Sequence, residues 1–153
     1  MARLADIPEP LRSHLAQLEC PTFETTPWAE GPPLAERRIA LVTTAGLHHR
    51  QDRPFTGMTG EYRVIPGHVA TGDLVMSHIS SNFDRTGLMV DQNVVFPLDR
   101  LQELAAEGVI GSVAAEHFSF MGATNPGRMK SHVAEVADRL HSDRVTGVLL
   151  TPV

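Results

Sequence analysis

The chain has 153 residues, enough for one domain with a sizeable core and too few for two ordinary ones, and its 42% hydrophobic and 20% charged residues exclude a disordered or fibrous protein. A formal net charge of −5, with 13 basic residues scattered and never clustered, excludes a nucleic-acid groove and an anionic membrane surface as partners. The single cysteine, Cys20, leaves no intrachain disulfide and no cysteine-based zinc site; it reads as an inert small hydrophobe or as a redox thiol. No apolar run reaches bilayer length, and the N-terminal MARLADIPEPLRSHL lacks the sections of a signal peptide, so the expected location is the cytoplasm.

In chain order, Leu11, Leu15 and Leu18 fall at helical spacing after a proline start and predict an amphipathic helix over Pro8 to Glu19. Cys20 to Pro33 reads as an irregular arm whose Phe23 and Trp28 pack against the body. Ile39 to Val42 is a short apolar run suited to the middle of a parallel sheet, and Thr43 to Gly46 then opens a polar loop carrying His48 and His49. Arg50 to Gly60 reads as a long mobile loop. Glu61 to Ile65 and Asp73 to His78 are expected to be short strands, the second followed by the polar ISSNFDRTG.

Asn93 to Gly108 gives the clearest helical signal. Pro97 lies in its first turn, Leu98, Leu101, Leu104 and Ala105 form one apolar face, and Gly108 is the stop. The alternating AEHFSF suits a strand. A second helix follows over Arg128 to His141, with Met129, Val133, Val136, Ala137 and Leu140 on its face, and Val145 to Val153 reads as a buried strand. The expected architecture is α/β, a mainly parallel, Rossmann-like open sheet with flanking helices. It forms one domain over 1–153, with a helix and arm over 1–35 and the sheet core over 36–153.

Familiar nucleotide, zinc-protease and hydrolase signatures are missing. What remains is a set of polar residues after successive strands, whose carboxyl ends share one edge of a parallel sheet, where open α/β sheets bind ligands. The candidate catalytic residues are His48, His78, His117 and Asp91. The candidate substrate-binding residues are Thr44, Asn82, Asp84, Arg85, Asn93 and Ser119, with Ser77 in the same set of loops. Histidine and aspartate together can pair as base and orienter or ligate a metal, although no fixed ligand spacing is present and no metal is assigned. For His48 and His49 a pair of solvated loop imidazoles is the alternative.

VTTAGLH (Val42 to His48), DRPF (Asp52 to Phe55), YRVIP (Tyr62 to Pro66), SHISSNFDRTG (Ser77 to Gly87), DQNVVFPLDRLQELAAEGVIG (Asp91 to Gly111) and HFSFMG (His117 to Gly122) occur together and in order. In these segments the sequence resembles the selenoprotein B subunits of glycine, sarcosine, betaine and D-proline reductases. The resemblance implies reductive cleavage of a carbon–nitrogen bond in a small amine or amino acid, beside a separate pyruvoyl-containing partner subunit. It also implies a selenocysteine, in a U-x-x-C motif, directly after the strand corresponding to GVLLTPV. Here that motif does not follow Val153, so the expectation is a UGA-terminated portion of a longer selenoprotein, or a natural short homologue, inactive in this form. Loss of the next strand would expose apolar surface and favour a homodimer. A noncatalytic ligand-binding or interaction subunit and a His/Asp metal-dependent enzyme are the alternatives.

Overall fold

The computed structural model describes residues 3–17, 22, 24–26, 28–57, 59–80 and 83–153. The chain divides into two compact units, Met1–Glu30 and Gly31–Val153. The first holds helix α1, Leu11–Ala16, shorter than its leucine spacing predicts; Leu18, Cys20 and Phe23 lie outside the described residues. Trp28 is 80% exposed, which corrects its expected role as a packing anchor.

The second unit, which also holds the short helix α2 (Thr86–Val90), is built on a sheet of five strands: β1 (Arg38–Thr43), β3 (Tyr62–Pro66), β5 (Ser112–Val113), β6 (Glu116–Phe120) and β7 (Gly147–Thr151). β1 runs parallel to β5, β6 and β7, and β3 lies antiparallel on the outer side of β6. β5 and β6 share one flank of β1, β5 beside Arg38 and Ile39, β6 beside Val42 and Thr43. Alternation decides what each face carries. Ile39 and Leu41 enter a core with Ile65, Phe96 and the Leu98 and Leu101 face of α3 (Leu98–Ala106), while Val42, Phe118 and Phe120 pack against Met129, Val136 and Leu140 of α4 (Pro126–Ser142). The sheet is thus covered on both faces at β1 and β6, as the parallel pattern requires.

Local chemistry sets the helix limits. Pro97 precedes α3, and Gly108, at φ +73°, takes the left-handed conformation that closes it. Asn125 caps α4 by accepting the Gly127 N–H at 2.8 Å, with Pro126 at the first position, where its missing N–H is harmless. Val133, expected on the inner face of α4, is exposed.

Two departures from the sequence expectation matter for function. The His48–His49 stretch is not a loop: Leu47–His49 forms β2, antiparallel to β4 (Leu74–Met76). Gly46, at φ +66°, turns the chain from β1 into this two-stranded antiparallel ribbon, donating its N–H to Phe120 O and accepting from Ser77 N, both at 2.9 Å. β7, expected to be buried, leaves Val148, Leu149 and Leu150 exposed, Leu150 at 66%. The Arg50 to Gly60 segment is pinned by buried Phe55, whose ring lies 4.5 Å below the Arg63 guanidinium.

Candidate functional site

The carboxyl ends of β1, β6 and β7 meet at Thr44, Gly122 and Val153. The Thr44 hydroxyl accepts the Val153 N–H at 2.8 Å and donates to the Val153 carbonyl at 3.2 Å, while the Thr44 N–H bonds Thr151 O at 3.2 Å. Gly122 donates to Thr44 O at 2.8 Å, and a Cβ there would strike Val153 O and come within 2.9 Å of Thr44 O, so only glycine fits between them. Of these residues the sequence reading singled out Thr44 alone. Gly122 had a signal, a glycine directly after an apolar strand, but its meaning depends on strands distant in sequence.

The β2–β4 strand pair continues from this edge and carries the sharpest chemistry. His48 is buried, and its Nδ1–H donates to the His49 carbonyl at 2.8 Å, which fixes the tautomer and leaves Nε2 as acceptor. Nε2 accepts from the Ser77 hydroxyl at 2.5 Å, and Ser77 is half-buried. Hydroxyl, imidazole and orienting acceptor stand in the order that activates a serine, with a backbone carbonyl where a carboxylate is more usual. The pair can hold and pass one proton.

His78 follows directly. Its Nδ1 accepts the Ser80 N–H at 3.2 Å, so Nε2 carries the proton, and that buried Nε2–H meets no partner among the described residues. Burial, and then the Arg85 charge, hold the imidazole below its ordinary pKa. Arg85 reaches back with Nη2 to His78 O at 2.6 Å and Ser80 O at 3.1 Å, and the Phe83 ring lies tilted against the His78 ring, centroids 4.9 Å apart. Asn82 lies outside the described residues.

The other expected site residues are engaged elsewhere. Asp84 accepts the Thr86 N–H at 2.9 Å, and that bond holds its carboxyl below the usual range. Asp91 does the same for Asn93 N at 2.9 Å, with the same effect, and the Asn93 amide bridges Asp91 and Asp99. Both are turn-forming arrangements. The crevice beside Asn93, lined also by Val69, Leu74 and Phe96, has a volume of ≈ 10 Å³, room for one water at most.

His117 and Ser119, candidates for a site beyond the strand ends, lie instead within the strand that AEHFSF predicts, in β6 on the Leu41 face, where they mend the sheet. Ser119 Oγ accepts Leu47 N at 2.8 Å, and His117 Nδ1 accepts Leu41 N at 2.9 Å. Desolvation lowers the His117 pKa from 6.5 to about 4, so the ring is a neutral structural acceptor at neutral pH. Among the described residues no three His, Cys, Asp or Glu side chains gather as a metal site would need. No helix among them is long and apolar enough to cross a membrane.

Comparison with known proteins places this geometry in context. A family model described as glycine/sarcosine/betaine reductase selenoprotein B matches residues 12–153. The chain is 35% identical over 122 residues to the D-proline reductase subunit gamma of Acetoanaerobium sticklandii, covering 77% of this chain and 49% of that protein. It is 30% identical over 123 residues to the sarcosine reductase complex component B subunit beta of Peptoclostridium acidaminophilum, covering 77% and 28%. It is 29% identical over 143 residues to the glycine reductase complex component B subunit gamma of Symbiobacterium thermophilum, covering 86% and 32%. The chain therefore spans half or less of the length of these relatives. No solved structure matches it significantly.

Proposed function

Because the chain belongs to the glycine/sarcosine/betaine reductase selenoprotein B family, we propose that it forms part of a reductase component that cleaves the carbon–nitrogen bond of a small amine or amino acid. The observation that carries this reading is the clasp of Thr44 on Val153 beside Gly122, at the sheet edge where open α/β folds keep their chemistry. A selenocysteine in the continuation after Val153 would supply the nucleophile, since a selenolate is ionised at neutral pH. Thr44 and Gly122 would hold the segment that presents it.

This chain's own residues supply the rest. The departing nitrogen needs a proton. With the imidazole protonated, His48 Nε2–H donates to Ser77 Oγ, and the Ser77 proton passes outward to the leaving amine. Ser77 is joined to the clasp through the backbone, by way of its bond to Gly46 and that of Gly46 to Phe120. The partners in this reading are the amine substrate, a pyruvoyl-containing subunit and a second copy of the chain, the last meeting the exposed β7 edge.

The coding sequence beyond the Val153 codon tests the reading. An in-frame UGA followed by proline, any residue and cysteine supports a selenocysteine-dependent reductase. A continuation with neither selenocysteine nor a cysteine pair in that position contradicts it.

A further inference from the structure

Val133 of α4 and the apolar residues of β7, all expected inside and all exposed, belong to one face of the sheet. Val148 and Leu150 are in register with Ala40 and Val42 of β1, so they stand on the side that α4 covers, one strand further out. Val42 packs there with Met129, Val136 and Leu140, whereas Val148 and Leu150 are 43% and 66% exposed. The flanks of α4 are told apart by their contacts. On one, His132 meets the Tyr62 ring at 5.7 Å and Arg139 pairs with Glu116 and Glu135, so that flank looks toward β3 and β6. By helical spacing the opposite flank carries Lys130, Val133, Ala137 and His141, and it looks toward β7. Val133 is 55% exposed on it.

The result is a shelf, floored by Val148 and Leu150 and walled by Val133 and Ala137. Helices are what cover the faces of parallel sheets, and one seated at the usual distance of about 8–10 Å from α4 would lie over β7. The small side chain of Ala137 allows that approach. Charge on this bank has one sign. Lys130 and His141 are exposed and, among the described residues, enter no ion pair, while the other flank is laced by Arg139 with Glu116 and Glu135. β7 itself carries no charge from Gly147 to Thr151. A second copy presenting the same flank of α4 would set cation against cation, so the bank is complementary to carboxylates and not to itself. Pairing of a second copy on the β7 edge uses backbone groups and leaves this face open.

We propose that this shelf seats an amphipathic helix of a partner subunit, with apolar residues on Val133, Val148 and Leu150 and carboxylates beside Lys130 and His141. This rests on the reductase reading, which gives the chain partner subunits, and deepens it by assigning the surface and the chemistry that meet one. Burial of the three apolar side chains supplies the affinity, and the one-sided charge sets which helix is accepted.

The experiment is a titration of the full chain with two labelled helical peptides, followed by fluorescence anisotropy at physiological ionic strength. Both carry leucines at i, i+4, i+7 and i+11; one has glutamates along a flank of that stripe and the other has lysines there. The glutamate peptide is expected to bind saturably, and the lysine peptide about tenfold more weakly. Lys130→Glu should narrow that difference by about fivefold. Val133→Asp should abolish binding of both. Because Val133 lies away from the β7 edge, sedimentation of that variant should match the wild type, which also shows that it is folded. Equal binding of the two peptides, or no binding, overturns the proposal. So does loss of self-association in Val133→Asp, which would make a second copy the occupant. A longer product of the same gene that no longer binds the glutamate peptide overturns it too, because the polypeptide itself then covers the shelf. The reductase reading fails separately, if the assembled enzyme releases no amine while the shelf still takes the acidic helix.

Discussion

His117 shows how a residue that reads as catalytic becomes structural. From Ile39 to Val42, β1 advances three residues while β5 and β6 advance five, from Val113 to Phe118. The surplus at Ala114 and Ala115 leaves Leu41 N–H without a strand carbonyl, and His117 Nδ1 takes its place. The consequence is a pH dependence with a defined sign. Folded, the ring takes a proton only near pH 4, held there by desolvation, while unfolded it does so near 6.5. The unfolded chain binds more protons between these values, so stability falls as pH drops through that window, by about 3 kcal/mol from this group. An NMR titration of His117 and denaturant melts from pH 7 to pH 4 check it; a ring titrating near 6.5 contradicts it. His117→Ala should flatten that pH slope. It should also cost about 3 kcal/mol at neutral pH, through the orphaned Leu41 amide and the cavity left behind.

At the scale of elements, legibility followed locality. The stop of α3 at Gly108 and the apolar run of β1 are written in adjacent residues, and the structure places them where that chemistry predicts, whereas α3 begins at Leu98, after Pro97, and not at Asn93 as the helical signal suggests. β2 was not legible, because a histidine pair becomes a strand only through β4, some 25 residues on in sequence. The same limit hid the bond between Ser77 and His48 across that strand pair, and the role of Ser119, set by Leu47. β7 misled for another reason: GVLLT has the composition of a covered strand, and a sequence cannot show whether the cover is there. With Val148, Leu149 and Leu150 open on an edge that no described strand pairs, the second unit is expected to self-associate. Sedimentation should give a dimer that Leu150→Lys, a charge on the most exposed of the three, shifts toward monomer. A wild-type monomer at high concentration contradicts this.

At the scale of the molecule, a sheet covered by α3 and α4 fixes one edge where Thr44, Gly122 and Val153 meet and sets the Ser77–His48 pair beside it. The fold contributes rigidity there, and in the proposed reading the β2–β4 pair contributes the group that moves a proton. The measurement that tests this most directly is amine release from glycine, sarcosine and D-proline under dithiol reduction. It uses the complete complex assembled with full-length protein, comparing wild type with Ser77→Ala. The account predicts release by the wild type, with kcat about 10²- to 10⁴-fold lower in Ser77→Ala and little change in KM, as loss of a proton donor in the transition state requires. Release at the same rate by Ser77→Ala, or no release by the wild-type complex, would contradict it.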